Sequence, residues 1–238
     1  MLKEAIQYIV NLSAPTVKEI DGETYSDKQL HRVKHNPKAD PIKLSTLTSL
    51  VDYLKSGVDR PTGRLFIHVQ SPTRVSVFSE LDGDRRREML AEVNAQIPHF
   101  DFDKFIDHES FCIGLQSKFL ESSDRALLLK FAGTVEAGSI SEYGDDGVSQ
   151  KATVKTGIAS KSEALVPSPV DLVPYRTFVE VAPPASSFVF RMKQDKYSGV
   201  CCALFEADGG AWKNAATEGI KSFLERAFEG DENLIVIS

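Results

Sequence analysis

Cysteines are few in this sequence, basic residues are outnumbered by acidic ones, and long apolar runs are missing. Three cysteines, Cys112, Cys201 and Cys202, occur in 238 residues, an odd number that excludes a complete set of internal disulfides. We therefore expect reduced, buried thiols in a cytoplasmic protein. No apolar run approaches the roughly 20 residues that a membrane helix requires. The N-terminus places a glutamate inside its apolar stretch, so we expect neither a membrane partner nor a signal peptide.

The charge balance disfavours a protein-wide nucleic-acid surface. The 28 lysines and arginines are outnumbered by 34 acidic residues, giving a net charge of −6, whereas non-specific binding depends on clustered cations that neutralise phosphates. "DRRREML" contains the densest basic run, but successive helix positions point about 100° apart. We interpret it as the solvated start of a helix from about Asp84 to Ile97.

Recognisable catalytic motifs are also missing from the sequence. It contains no GxSxG elbow, no phosphate-binding loop, no GxGxxG and no HExxH, so His31 and His35 lack the context of a zinc hydrolase. A nuclease pattern of Asp followed by Glu-x-Lys is nearly met by Asp171 and Glu180, but Ala182 stands where the lysine is required. The sequence therefore predicts no catalytic residue and no cofactor.

Two adjacent aspartates, Asp145 and Asp146, are the best candidates for a metal site. Carboxylate oxygens suit hard divalent cations in phosphoryl-transfer enzymes. However, Asp-Asp-Gly is also ordinary turn sequence, and consecutive residues of a strand point to opposite faces. We favour a turn. The alternative is a metal-dependent phosphoryl-transfer or nucleic-acid-processing enzyme that uses these aspartates together with Asp171 and Glu180.

Apolar periodicity predicts six helices. Residues three and four apart form apolar stripes over 2–12, 45–57, 84–97, 108–120, 123–136 and 211–228. Within the second of these helices, Ser45 is the expected N-cap and Gly57 the expected end.

Strand patterns fill most of the remaining chain. Asp21-Gly22 predicts a hairpin, and strands are expected in 63–80, 148–157, 175–181, 188–192, 199–208 and 234–237. Residues 157–174 are interpreted as a connecting stretch, and the final strand, "LIVI", as buried. Strands in hairpins and helices in groups predict an α+β fold with mainly antiparallel sheet, whose β-rich C-terminal half is followed by a long amphipathic helix and a final strand. We expect one unit over 1–238, with a weaker division into a mixed helical part, 1–137, and a β-rich part, 138–238, as the alternative.

Aromatic residues beside arginines offer one possible nucleic-acid site. Tyr175, Phe178, Phe188 and Phe190 could stack on the bases of a single strand next to Arg176 and Arg191. Alternating strand faces usually pack inward. We therefore expect these rings in the core and do not favour a nucleic-acid partner.

Five segments carry a resemblance to known sequences: "SPTRVSVFSE", "YGDDGVSQ", "PYRTFVEV", "FVFRMK" and "ALFEADGGAWK". With these segments the chain resembles, over nearly its whole length, a family of phage and prophage proteins of unknown function from phages of Gram-positive bacteria. It is distantly similar to the YfdQ-like prophage proteins. The resemblance implies a phage accessory protein in the host bacterial cytoplasm and brings no catalytic residues with it.

Together with the clean alternating strands, whose edges need covering, the resemblance leads us to expect a non-enzymatic accessory protein. We expect it to act by homo-oligomerisation, in a ring or shell in the stronger version, and by binding an unknown phage or host protein.

Overall fold

The computed structural model describes residues 2–13, 15–29, 38–137, 139–145, 150–155 and 161–238. The chain divides into two compact units, Met1–Ala39 and Asp40–Ser238. The expected alternative boundary near residue 137 lies inside the second unit. The predicted α+β class, with mainly antiparallel sheets, is confirmed for the described residues.

Among its described residues, the N-terminal unit contains one helix and one hairpin: α1 (Leu2–Ser13), β1 (Val17–Ile20) and β2 (Glu23–Ser26). Asp21 and Gly22 connect the strands with φ of 53° and 82°. Positive φ at both positions is what a two-residue hairpin turn of the favoured hand requires, so the predicted hairpin is confirmed. The pattern of "KQLHRVKHN" predicts an extension of this sheet, but that segment falls mostly on residues 30–37, outside the described residues.

The second unit consists of runs of strands separated by helices. Its N-terminal part contains β3 (Ile42–Leu44), α2 (Leu47–Ser56), β4 (Leu65–Ser71), β5 (Arg74–Ser79), β6 (Met89–Asn94), β7 (Ile106–Asp107), α3 (His108–Lys118) and α4 (Ser123–Ala137). Its C-terminal part contains β8 (Ser139–Asp145), β9 (Gln150–Lys155), β10 (Lys161–Leu165), β11 (Val170–Leu172), β12 (Ser186–Asp195), β13 (Gly199–Glu206), α5 (Ala211–Ala227) and β14 (Leu234–Ile237).

The first sheet has five strands in the order β14-β4-β5-β6-β3. Its three central strands are antiparallel, while β14 and β3 join the edges in parallel. Helices α2 and α5 pack on one face, where their leucines and isoleucine share a core with alternate strand residues such as Ile67, Val77 and Val93. We call this the inner face. Alternation along the strands sends the intervening side chains to the opposite, outer face.

A second sheet, β11-β12-β13-β7, builds a second core with α3 and α4. Phe188, Phe190 and Met192 alternate along β12 and are fully buried against Phe111 and Leu115 of α3. The predicted strand and its inward face are thus confirmed. A third, antiparallel sheet consists of β10, β9 and β8.

The predicted helix over 84–97 is wrong. Its sequence has good helix propensity, yet residues 89–94 form β6, which pairs with β5 on one side and with β3 on the other. Before it, the Asp82 carboxylate accepts the backbone N–H groups of Asp84 and Arg86 and makes a turn. Sheet pairing on both sides outweighs a propensity difference worth only tenths of a kcal/mol per residue.

The predicted strand over 175–181 is wrong as well. This segment is an irregular connection, and its residues do not share one face: Phe178 and Val181 enter the first core, whereas Val179 is 83% exposed. The Thr177 hydroxyl donates to the Pro72 carbonyl at 2.7 Å, and the Tyr175 N–H donates to the Lys118 carbonyl at 2.9 Å. The segment therefore links the turn between β4 and β5 to the end of α3 and is a strand of neither sheet.

Three further expectations need correction. The stretch 157–174 contains β10 and β11 and is not merely a connection. The final strand is confirmed as β14, but it is an edge strand that is only partly buried. All three cysteines are free as expected, with Cys201 and Cys202 buried and Cys112 only half-buried.

Candidate functional site

Arg176, a candidate nucleic-acid contact in the sequence, is the centre of a buried polar cluster. It is 5% exposed, donates to Glu206 Oε1 at 2.5 Å and to the Ser186 hydroxyl, and lies 3.8 Å from the centroid of the Trp212 ring. Ser186 in turn donates to the Asp208 carboxylate at 2.6 Å. These contacts attach the start of α5 to the second sheet, so Arg176 is occupied within the fold.

Asp208 completes this cluster at the start of α5. Burial acts to raise its pKa, but hydrogen bonds from Ser186 and from the N–H groups of Gly210 and Trp212, with the Arg176 charge, hold that pKa below its ordinary value. A charged carboxylate beside these N–H groups is favourable at a helix N-terminus. The "EADGGAWK" segment therefore has a structural role at the start of α5.

The other candidate nucleic-acid residues do not form one surface. Phe178, Phe188 and Phe190 are buried, as expected of core rings. Arg191 is half-buried and donates to the Phe190 carbonyl at 3.2 Å. Tyr175 is 42% exposed and lines an apolar cleft of about 250 Å³ with Ile97 and Val179.

The acidic candidates are dispersed among the described residues. Asp145 is the last residue of β8, and Asp146 lies outside the described residues, as do His31 and His35. Asp171 is exposed, and its N–H donates to Asp124. Glu180 accepts the N–H of Thr48 at 2.8 Å, at the start of α2. Within the described parts of the chain, no three His, Cys, Asp or Glu side chains are grouped to hold a metal ion.

The outer face of the first sheet is the most distinctive surface of the second unit. Cross-strand register places Phe66 of β4 beside Phe78 of β5, and their ring centroids lie 5.6 Å apart with planes only 22° from parallel. Arg87, from the loop before β6, places its guanidinium 5.3 Å and 5.1 Å from these two centroids. The His68 ring stands edge-on to Phe78, with a centroid separation of 6.4 Å. We call Phe66, Phe78 and Arg87 the stacking cluster.

Polar side chains occupy the opposite end of the outer face. Arg74 Nε donates to Asn94 Oδ1 at 3.1 Å, and Gln70 donates to the Ser76 hydroxyl at 3.1 Å. Gln70, Arg74 and Asn94 border an open cavity of about 460 Å³. The outer face thus changes from aromatic to polar along the strands.

The charge of the outer face is opposite to that of the whole chain. Strand alternation assigns Lys43, Arg74 and Glu92 to this face, and Arg87 covers its aromatic end. Lys43, Arg74 and Arg87 are exposed, and Glu92 is half-buried. This face therefore carries a local excess of positive charge within an acidic protein.

The N-terminal unit presents a different kind of surface. Leu2, Ile6 and Ile9 fall on one side of α1 and are each more than half exposed. On the hairpin, Val17, Ile20 and Tyr25 are equally exposed. Every described side chain of this unit is exposed apart from Lys28, which is half-buried. The unit therefore has no core of its own among its described residues.

The stacking cluster was missed because Arg87 was assigned to a helix. One sequence signal could have identified its aromatic pair: a hairpin centred on Pro72 brings Phe66 opposite Phe78, since both lie six residues from that centre. The position of Arg87 over the rings depends on the turn at Asp82, which no local pattern indicated.

Two further observations bear on the functional class. No helix among the described residues is long and apolar enough to cross a membrane. The chain matches no family model, no curated protein and no solved structure.

Proposed function

We propose that this chain is a non-enzymatic protein that acts by homo-oligomerisation and by binding a partner. The observation that carries the proposal is the N-terminal unit, whose described apolar side chains are all exposed. Chains below about 40 residues rarely bury enough apolar surface to be stable alone, and oligomerisation is one common remedy. A second copy of the same unit supplies a matching apolar surface.

The pattern of α1 supports a protein partner. Its apolar side carries Leu2, Ile6 and Ile9, while its charged residues are Lys3 and Glu4, one of each sign. Helices that lie on membrane surfaces are typically rich in Lys and Arg on the polar side, and α1 is not. An apolar helix side of this kind is suited to packing against another helix, most simply in a two-fold arrangement.

The resemblance to phage and prophage proteins supports an accessory role in the cytoplasm of a bacterial host. In that role an oligomer would bind a further phage or host protein. Ring or shell formation is the stronger version of the proposal. A ring or shell requires contacts between copies that continue beyond a two-fold dimer.

Light scattering after size-exclusion chromatography tests self-association of the full chain at micromolar concentration. We expect an oligomer that dissociates to monomers in the double variant Ile6→Asp with Ile9→Asp, because burying these charges would be costly. The control is Gln7→Asp, which adds a negative charge on the other side of α1 and should leave the oligomer intact. A wild-type monomer would refute the proposal.

A second experiment tests the non-enzymatic part of the proposal. The purified protein is incubated with phosphate-ester substrates and Mg²⁺ or Mn²⁺, and thermal unfolding is recorded with and without the metal. We expect no turnover and no rise in melting temperature. Turnover that is lost in Asp145→Ala with Asp146→Ala would establish the alternative enzyme instead.

A further inference from the structure

We propose that the outer face of the first sheet binds single-stranded nucleic acid, with bases stacked on Phe66, Phe78 and Arg87 and the phosphate backbone paired with Lys43 and Arg74. This inference goes beyond self-association and depends on a different part of the molecule. The surface differs from the one that the sequence indicated, of which the fold buries Arg176 and the three phenylalanines.

The stacking cluster has the geometry that unpaired bases require. Open sheet faces with aromatic side chains are one recurrent way in which proteins stack the bases of single strands. Phe66 and Phe78 are nearly parallel and only partly buried, and the exposed Arg87 lies over both rings. A guanidinium plane stacks on a base much as an aromatic ring does.

Arg87 is held in place for this role. Its Nη1 donates to the Ser79 carbonyl at 2.9 Å, which fixes the guanidinium above the rings. The arginine is thus oriented before a ligand arrives, and less side-chain entropy is lost on binding. Arg87 is exposed although its guanidinium lies over the two phenylalanines, so its outward side is accessible to a base.

The polar end of the face offers contacts for phosphates. Phe78 lies four positions after Arg74 on β5, which corresponds to roughly 13 Å at the rise of a strand. Arg74 uses its Nε to hold Asn94, and its terminal guanidinium nitrogens remain well suited to a phosphate. Lys43 stands at the far edge of the sheet in register with Glu92. A nucleic-acid strand that runs from the stacking cluster towards Arg74 therefore brings its phosphates close to Arg74 and Lys43.

The same features disfavour other occupants of this face. In a duplex the base faces are already stacked and cannot reach the rings. In a two-fold packing of this face on a second copy, each cationic surface would meet its own like-charged equivalent, which is unfavourable. A single-stranded nucleic acid can stack its unpaired bases on the rings and pair its phosphates with the cations.

Fluorescence anisotropy with labelled 20-nucleotide oligothymidine and oligouridine tests the proposal on the full chain at low salt. We expect saturable binding that weakens as salt rises. Arg87→Ala, and the double variant Phe66→Leu with Phe78→Leu, should each weaken binding about tenfold, the effect of losing one stacked base. Arg74→Ala should weaken binding and reduce the slope of log affinity against log salt by about one.

Matched controls separate this surface from general effects. Arg226→Ala removes an exposed arginine of α5, on the inner side of the sheet, and Tyr197→Ala removes an aromatic ring that is 91% exposed at the turn between β12 and β13. Both should bind as wild type does. Circular dichroism and thermal unfolding establish that each variant is folded, and the leucine substitutions keep apolar volume on the sheet.

Three results would overturn the inference. The first is no binding at low salt, or an equal loss in Arg87→Ala and Arg226→Ala. The second is competition by duplex DNA as strong as that by the single strand. The third is a change in oligomer mass in the phenylalanine variant without a change in oligonucleotide affinity, which would make the outer face an interface between copies. The charge variants of α1 leave the stacking cluster unaltered, so failure of the two proposals is distinguishable.

Discussion

Substituting Gly219 by alanine tests how closely the irregular segment 174–184 packs against α5. A methyl group at this position would lie 2.7 Å from Cγ1 of Val181, whereas carbon atoms in ordinary contact are about 3.5–4.0 Å apart. Valine has a strongly restricted χ1 angle and cannot easily turn away. The Val181 N–H also donates to the Phe178 carbonyl at 3.2 Å, which restrains the backbone.

Two opposing effects set the expected size of the change. Overpacking of a core costs about 1–3 kcal/mol, while alanine in place of glycine within a helix gains about 1 kcal/mol. We therefore expect Gly219→Ala to lower the free energy of unfolding by about 1 kcal/mol. In a Val181→Ala background, the clash is gone and the same substitution should instead raise the free energy of unfolding by up to about 1 kcal/mol.

Urea unfolding followed by the fluorescence of Trp212, the single tryptophan, measures all four proteins of this double-mutant cycle. The coupling free energy between the two sites should be about 1–3 kcal/mol, which is the overpacking cost itself. Gly133→Ala in α4 is the control, because a methyl group there meets no atom within 4 Å and should be stabilising. An effect of Gly219→Ala that is the same in both backgrounds would refute the reasoning.

Two further predictions concern a helix cap and the thiols. Thr46→Ala should lower the free energy of unfolding by about 1 kcal/mol, because its hydroxyl accepts the Ser49 N–H at 3.1 Å; Ser45→Ala, the neighbouring control, should have little effect, and equal effects in a urea titration would contradict the capping role. With a thiol reagent in native buffer, Cys112 should react well before the two cysteines of β13, whose pKa values burial raises, because the thiolate is the reactive form. Cys112→Ser should remove the fast phase, and its persistence would show that a β13 thiol is accessible.

Local signals predicted much of the fold. The Asp21-Gly22 turn, the end of α2 at Gly57 and the alternation along β12 each follow from interactions within a few residues. Helix N-caps are less well determined by sequence. Ser45 and Thr46 are both good caps, and the hydroxyl of Thr46 is the one that accepts the N–H of Ser49.

The two wrongly predicted segments owe their structure to distant residues. β6 is a strand because β5 and β3 lie on either side of it, and β3 is more than 40 residues earlier in the chain. Segment 175–181 alternates in sequence, but Phe178 and Val181 enter the first core while the Tyr175 N–H donates to Lys118 at the end of α3. Neither set of contacts is visible in a short window of sequence.

The surface proposed for nucleic acid illustrates the same limit. Phe188 and Phe190, which lie close to Arg191 in sequence, are core residues, and Arg176 is itself buried. The arginine that lies on an aromatic pair comes from a separate loop, since Arg87 follows Phe78 by nine residues and a turn. Proximity along the chain is therefore a poor guide to which arginines and aromatic rings lie close together in the fold.

The parallel pairing of β14 with β4 has a consequence during protein synthesis. Residues 234–237 are translated long after residues 65–71, yet the two segments share one ladder. Until the later segment emerges from the ribosome, β4 has an unpaired edge, and the inner-face core lacks α5. The nascent chain is therefore incompletely folded during this time, and the unpaired edge of β4 is accessible for aggregation or for binding by chaperones.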